Sequence, residues 1–293
     1  RDRPALGYVL WTMGMETAVA IRLIRLIAST GRPLAVVHDN PGIDFTQLER
    51  AVRGHPLARL WHFSVSPLCG RIMGAHLAGL GHRRLAAFHF RKKDPLWESR
   101  IEGIRTAYRE RGLTLALMRY APEKTIDAAQ FAPAATAALN SVNSGWRAFY
   151  DETVPVFSAS FLTDRILDQK TMVEPFQRAL ADGGCTAWIG LGDPAAVLAL
   201  SFLRRQGVSV PERISLAGFD DSLEAVGYGI TSYNFNMPAL VGAMVDFIYD
   251  PRRFGPSQPV REIPGRVMRR VSCGPAPAAA INTTADDHRP QDG

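Results

Sequence analysis

The chain has 293 residues, 46% of them hydrophobic and 21% charged, and carries a formal net charge of +6. That is the composition of a globular protein long enough to bury two modest cores, and it excludes fibrous and disordered classes. No apolar run approaches the roughly 20 residues that a membrane helix needs, and no secretory signal pattern opens the chain, so a soluble, cytoplasmic protein is expected. The chain begins at Arg1 rather than Met, which leaves room for a leader or a further domain ahead of it.

Two other global features narrow the function. The basic residues fall in short dispersed runs such as Arg83-Arg84, Arg204-Arg205 and Arg269-Arg270, at expected helix ends and strand edges, which is the pattern of solvated charge rather than of a nucleic-acid groove. The three cysteines, Cys69, Cys185 and Cys273, are odd in number, far apart and without CxxC spacing. A disulfide framework or zinc site is not indicated, and a reducing compartment fits best.

In chain order, apolar runs at 5–11 and 34–38 predict buried strands, with a helix between them carrying Ile21, Leu23, Ile24, Leu26 and Ile27 on its apolar side. A third strand is expected at 60–65 and a helix at 70–80, ended by Gly81. A strand at 85–90, a helix at 97–111 closed by Gly112, and a strand at 113–120 follow. Between 121 and 170 the periodicity is weak; an alanine-rich helix at 128–139 and a short strand at 154–158 are the readable pieces. A helix at 172–181 leads to the most informative stretch, residues 186–221, which reads as strand, helix and strand. Beyond it come a turn after Asp221, a strand at 230–236, a helix at 238–249 and a closing strand within 260–271. The tail, 275–293, is rich in Pro, Ala and Asp and reads as disordered. Strands alternating with helices over this length predict an α/β protein with two doubly wound parallel units.

In open parallel sheets, ligands bind beyond the carboxyl ends of the strands. Asp193 and Asp220 follow the strands at 186–190 and 214–218 and fall at such ends. Gly190-Leu-Gly-Asp-Pro-Ala195 also fits the dinucleotide fingerprint between a strand and a helix. Asp193, however, precedes Pro194 and is expected to cap the helix, occupying the amides and the positive dipole end that a pyrophosphate requires. A neutral polyhydroxylated ligand suits an acidic cap better, since carboxylate oxygens accept hydrogen bonds from hydroxyls. The plain alternative for Asp193 is a structural cap, and for Asp220 and Asp221 a turn at a strand end; of the latter two, Asp220 is the candidate.

Arg100 lies near the start of a predicted helix, where a cation opposes the dipole. A ligand, a carboxylate from a facing unit, or a surface ion pair with Glu98 or Glu102 would each account for it, and Gly103 permits close packing nearby. Trp97 and Phe219, with Trp11, Tyr233 and Phe235, fall at or near strand ends, where aromatics stack on ligands or simply fill the core. His38 with Asp39, and His82 with His89, lack metal spacing and read as structural. No nucleophile elbow, metalloprotease helix or P-loop is present, so catalysis, cofactor binding and metal binding have no carrier in the sequence.

Taken together, the segments HLAGLGHRRLAAFHF (76–90), SRIEGIRTAYRERGL (99–113), 186–221, GITSYNFNMPALVGAMVDFI (229–248) and VMRRVSCG (267–274) resemble the effector-binding region of the LacI/GalR family of transcriptional regulators. The resemblance implies a type I periplasmic-binding-protein-like fold, with residues 1–64 and 236–257 in a first lobe and 67–232 and 260–274 in a second. The chain would cross between lobes near 64–67, 232–236 and 256–260. It further implies a sugar-like effector in the cleft, operator binding through a separate amino-terminal domain absent here, a homodimer, and effector contacts at Arg100, Asp193 and Asp220. An exported solute-binding protein of the same fold and a nucleotide-using enzyme are the alternatives. Against the family pattern, the first lobe is incomplete at its start, residues 63–66 (FSVS) lack the aspartate expected before Gly70, and the stretch between Tyr120 and Thr186 is long.

Overall fold

The predicted βα sequence forms two sheets in the computed structural model, which describes residues 5–90, 95–123, 170–254 and 260–278. In the first unit, β1 (Tyr8–Trp11), α1 (Thr17–Ala28), β2 (Leu34–His38), α2 (Phe45–Arg53) and β3 (Ala58–His62) follow one another, with all neighbouring strands parallel. Every residue of β2 is buried, and successive side chains point to opposite faces. Leu34 and Val36 therefore pack with Ala20 and Ile24 of α1 and Leu48 and Val52 of α2. Ala35 and Val37 face Leu240, Met244 and Phe247 on the other side.

The second unit begins with α3 (Leu68–Gly79), β4 (Arg84–Phe88), α4 (Pro95–Arg109) and β5 (Ala116–Tyr120). A helix over residues 170–182, α5, leads into β6 (Ala187–Gly190), α6 (Asp193–Arg205), β7 (Ser215–Phe219), the short α7 (Leu223–Tyr228) and β8 (Thr231–Asn234). The chain then returns to the first unit through α8 (Met237–Tyr249), whose Leu240, Met244 and Phe247 cover β2 and β3, and a 3-10 turn at Pro251–Phe254. Two short strands close the fold, β9 (Val260–Glu262) and β10 (Arg266–Met268).

The sheets are ordered β1-β2-β3-β9 and β10-β8-β7-β6-β4-β5, parallel throughout except for β10 against β8. This is the α/β, two-lobed, doubly wound architecture expected. The closing strand expected within 260–271 splits between the sheets. Val260 to Glu262 pair with Leu60 to His62 of β3, so residues 260–262 join the first sheet, not the second, and the third crossing falls at residues 263–265. Packing supplies the reason: Val260 and Ile263 lie against the two cores of the first unit, whereas Val267 lies against a core of the second.

Two helices stand where the sequence pattern assigns none. α2 has a short apolar face, Leu48 and Val52, and starts where the Asp44 carboxylate accepts the Gln47 N–H at 3.0 Å. α7 stands where a turn was read and is capped by Ser222, whose hydroxyl accepts the Ala225 N–H at 3.2 Å. The helix expected at 128–139 and the strand at 154–158 lie outside the described residues, as does 279–293 of the tail. Residues 275–278 are ordered: the Ala276 N–H reaches the Leu80 carbonyl at 2.8 Å.

Candidate functional site

The carboxyl ends of the parallel strands in both sheets open onto one cleft of about 490 Å³. Asp39 follows β2, Phe63 and Ser64 follow β3, Phe90 lies just beyond β4, Leu191 and Gly192 follow β6, Asp220 follows β7, and Asn234 ends β8. Trp97 and Arg100 reach the cleft from the first half of α4, and Asn236 to Pro238 from the start of α8. The volume is that of a small-molecule site.

Arg100 is the most constrained of these groups, with only 3% of its side chain accessible. One terminal nitrogen donates to the Leu191 carbonyl, and the other lies 3.4 Å from Asp220 Oδ1. The guanidinium lies over two aromatic rings, 4.8 Å from the centre of Phe219 and 5.2 Å from that of Phe235, contacts that favour a cation. Phe219 is expected from sequence to touch ligand; it is fully buried and instead packs its ring against the Arg100 guanidinium. The reason is its place in the sheet: Phe219 closes a central strand buried along its whole length.

Asp220 and Asp221 occupy the left-handed region of backbone space, at φ 106 and 52. Three contacts hold this bend: Asp220 N–H to the Tyr233 carbonyl at 2.9 Å, Asp221 N–H to Ser232 Oγ at 3.0 Å, and Arg270 to the Asp221 carboxylate at 2.6 Å. Asp221 is thereby turned into an internal ion pair, further tied by Asn234 at 2.7 Å. Asp220 faces the cleft, with 47% of its side chain accessible. Its carboxyl is nonetheless pushed up to about 6, because the recess removes much of its solvation, against the lowering effect of Arg100. The backbone N–H of Asp193 is directed at the same carboxylate.

Asp193 itself takes a different place from the one expected. Gly192 occupies the cap position of α6, and Asp193 is the first residue inside the helix. Its carboxylate is fully buried beneath the cleft, accepting the Ser222 N–H at 2.7 Å and the Ser232 hydroxyl at 2.6 Å. Burial raises its pKa. Asp193 therefore joins three chain segments and neither caps the helix nor touches the cleft. The carboxylate at the start of α6 comes from Asp220 instead, so negative charge still stands where a phosphate would bind.

Trp97 lines the cleft from the first turn of α4 rather than from a strand end, its ring 5.1 Å from that of His89. Asp39 was read as structural from sequence, yet it forms part of the wall contributed by the first unit. Its carboxylate accepts the Trp11 indole N–H at 3.0 Å and the Ser64 hydroxyl. The signal that could have found it is positional, since Asp39 follows β2 as Asp220 follows β7. Phe63 and Phe235, on the first and second crossings, touch at 5.3 Å between ring centres. Among the described residues no group of three His, Cys, Asp or Glu side chains is placed to hold a metal ion, and no helix is long and apolar enough to cross a membrane.

Two sheets whose carboxyl ends face a shared cleft, joined by three crossings, define a two-lobed ligand-binding domain. Residues 75–273 match the periplasmic binding protein-like domain, and the chain belongs to that family. An arabinose metabolism transcriptional repressor of Geobacillus stearothermophilus is 28% identical over 155 residues, covering 52% of this chain and 31% of the relative; the chain thus spans less than a third of that relative. Among solved structures, a LacI transcriptional regulator from a Rhodococcus species superposes with a TM-score of 0.58 at 18% identity, covering 94% of this chain and 80% of the other. A sugar-binding LacI-family regulator from Escherichia coli, complexed with phosphate, gives 0.55 at 14% identity, covering 93% and 100%. The fold is therefore shared with these LacI-family regulators.

Proposed function

We propose that this chain is the effector-sensing part of a transcriptional regulator of the cell interior, binding a neutral sugar in the interlobe cleft. Closure of the two lobes around the ligand would bias a separate DNA-binding domain, in a homodimer and without catalysis. The observation that carries the reading is the pairing of Arg100 with Asp220 on one wall of the cleft while Asp39 stands on the other. Carboxylates accept hydrogen bonds from ligand hydroxyls and a guanidinium donates to their oxygens, while Trp97, Phe63 and Phe235 offer apolar faces to ring carbons. The carboxylate at the start of α6 disfavours a nucleotide pyrophosphate. The names of the matched relatives, an arabinose repressor and a sugar-binding regulator, support a sugar.

Calorimetric titration with free pentoses and hexoses, L-arabinose included, tests the reading. One of them is expected to bind, with Arg100→Ala and Asp220→Ala each weakening it about tenfold or more, or about 1.4 kcal/mol. The two changes should couple by roughly 0.5–3 kcal/mol in a double-mutant cycle, because both groups hold one ligand. Affinities within about twofold of wild type for both variants would remove these residues from the site.

A further inference from the structure

The first half of α4, which carries Trp97 and Arg100 into the cleft, is fastened to the first interlobe crossing rather than merely packed near it. Ser99 donates its hydroxyl to the Val65 carbonyl at 2.7 Å. Pro67, two residues further on, begins α3 by accepting the Arg71 N–H at 2.9 Å. A Cβ at Gly103 would stand 2.0 Å from the Pro67 oxygen and 2.6 Å from the Arg71 nitrogen, on top of that first helical hydrogen bond. From the other side, a Cβ at Gly70 would lie 1.9 Å from the carbonyl oxygen of Arg100 itself, and one at Gly74 would lie 2.9 Å from the Cα of Ile104. Backbone touches backbone along this line, so no side chain is left to yield if either helix shifts.

The same crossing also carries cleft residues. Phe63 and Ser64 immediately precede Val65, Ser64 donates to Asp39 of the first unit, and the Phe63 ring meets Phe235, over which the Arg100 guanidinium lies. The residues that face a ligand from the second unit and the segment that links the units are thus connected by both backbone and ring contacts.

We propose that Ser99 and Gly103 are positioning residues: by locking α4 to Val65 and Pro67 they set where the Arg100 guanidinium stands in the cleft, so that the ligand grip and the first crossing move as one body. Addition of a methyl at Gly103 displaces the α4 backbone from α3 and withdraws Arg100 from Asp220. Removal of the Ser99 hydroxyl adds no atom and loosens the same junction. The proposal rests on the reading of Arg100 as a ligand-gripping residue, but its test uses no ligand, so its failure leaves the sugar reading standing.

The readout is the ionisation of the Asp220 carboxyl, on which Arg100 and Asp193 are the charged groups acting. The full chain, labelled with 13C at aspartate side chains and assigned with Asp220→Asn, is titrated by NMR. Arg100→Met sets the scale: loss of a neighbouring cation raises a carboxyl by about 1 unit or more. Gly103→Ala and Ser99→Ala are expected to raise it by part of that amount. Gly79→Ala, on α3 where an added Cβ meets nothing within 4 Å, is expected to leave it unchanged. A folded Gly103→Ala chain whose Asp220 titrates as in wild type overturns the proposal, as does a Gly79→Ala shift of equal size. Should Gly103→Ala fail to fold, Ser99→Ala decides alone, and an unchanged titration there overturns it.

Discussion

Asp220 combines a constrained backbone with a displaced ionisation. A non-glycine residue at φ 106 costs on the order of 1–3 kcal/mol and persists only where surrounding contacts dictate it; here Tyr233, Ser232 and Arg270 do so. The bend points one carboxylate of the Asp220-Asp221 pair into the cleft and the other into an ion pair. With its carboxyl raised to about 6, Asp220 protonates within an accessible pH range. The protonated form loses acceptor capacity and its attraction to Arg100, so effector affinity is expected to fall as pH drops through about 6, by up to about tenfold per unit below it. Asp220→Asn should bind more weakly at neutral pH and vary little through the same window. Calorimetric titrations between pH 7.5 and 5 make the comparison, and a wild-type affinity flat across that range contradicts it.

The contact between β7 and α6 shows how one missing side chain fixes an element. Gly218 faces the Asp193 carboxylate so closely that a Cβ there would lie 2.2 Å from Oδ1. Asp193 in turn holds the start of α7 through Ser222 and the strand β8 through Ser232. Gly218→Ala is therefore expected to destabilise the protein by at least the roughly 1–3 kcal/mol of an overpacked core. Asp193→Ala should cost about 1–3 kcal/mol, because it strands a buried N–H and a hydroxyl. Combined, the changes should cost less than their sum, since the alanine methyl then enters the space the carboxylate left. Urea unfolding of the three variants measures this, and strict additivity would show that Gly218 and Asp193 do not share a contact.

At the scale of the whole molecule, histidines held neutral by burial among the described residues are expected to make the fold acid-sensitive. His82 is fully buried, with Nδ1 2.8 Å from Thr186 Oγ1 and Nε2 3.0 Å from the Gly274 carbonyl, an arrangement that suits the neutral ring donating from Nε2 and accepting at Nδ1. Burial lowers it to about 4 from an ordinary 6.5, and His62 likewise to about 4. The unfolded chain takes up these protons first, so the stability they represent is full above about 6.5 and is lost as pH falls from there toward 4. For His82 the loss is about 3 kcal/mol in order of magnitude. Asp220 acts in the opposite sense: raised from 3.8 to about 6, it binds its proton more readily folded than unfolded, so acidification between those values favours the fold. Denaturation midpoints should fall from pH 7 to pH 5 in wild type, more steeply in Asp220→Asn, and less steeply in His82→Gln from a lower starting point. Equal slopes for wild type and His82→Gln would exclude His82 as the cause.

Local pattern alone determined most of the succession of strands and helices, α2 and α7 excepted, together with the parallel α/β class and the placement of Asp220 beyond a buried strand. Each depends on apolar spacing over a few residues, and a run such as Leu34 to His38 has few other ways to bury itself. The proximity of Gly103 to Arg100 was visible in the same way. Contacts distant in sequence decided the rest. Asp193 and Asp220 looked alike from sequence, but Ser222 and Ser232 bury the one and Arg100 meets the other in the cleft. Asp39 gained its place only when β2 aligned beside β3 and brought Ser64 to it. Val260 and Val267 carry the same apolar signal, and only the cores waiting in two different lobes assign them to different sheets. A pattern of hydrophobicity specifies which face of an element is buried; the partner that buries it, and the direction of a polar side chain at a strand's end, exist only once the sheets have formed.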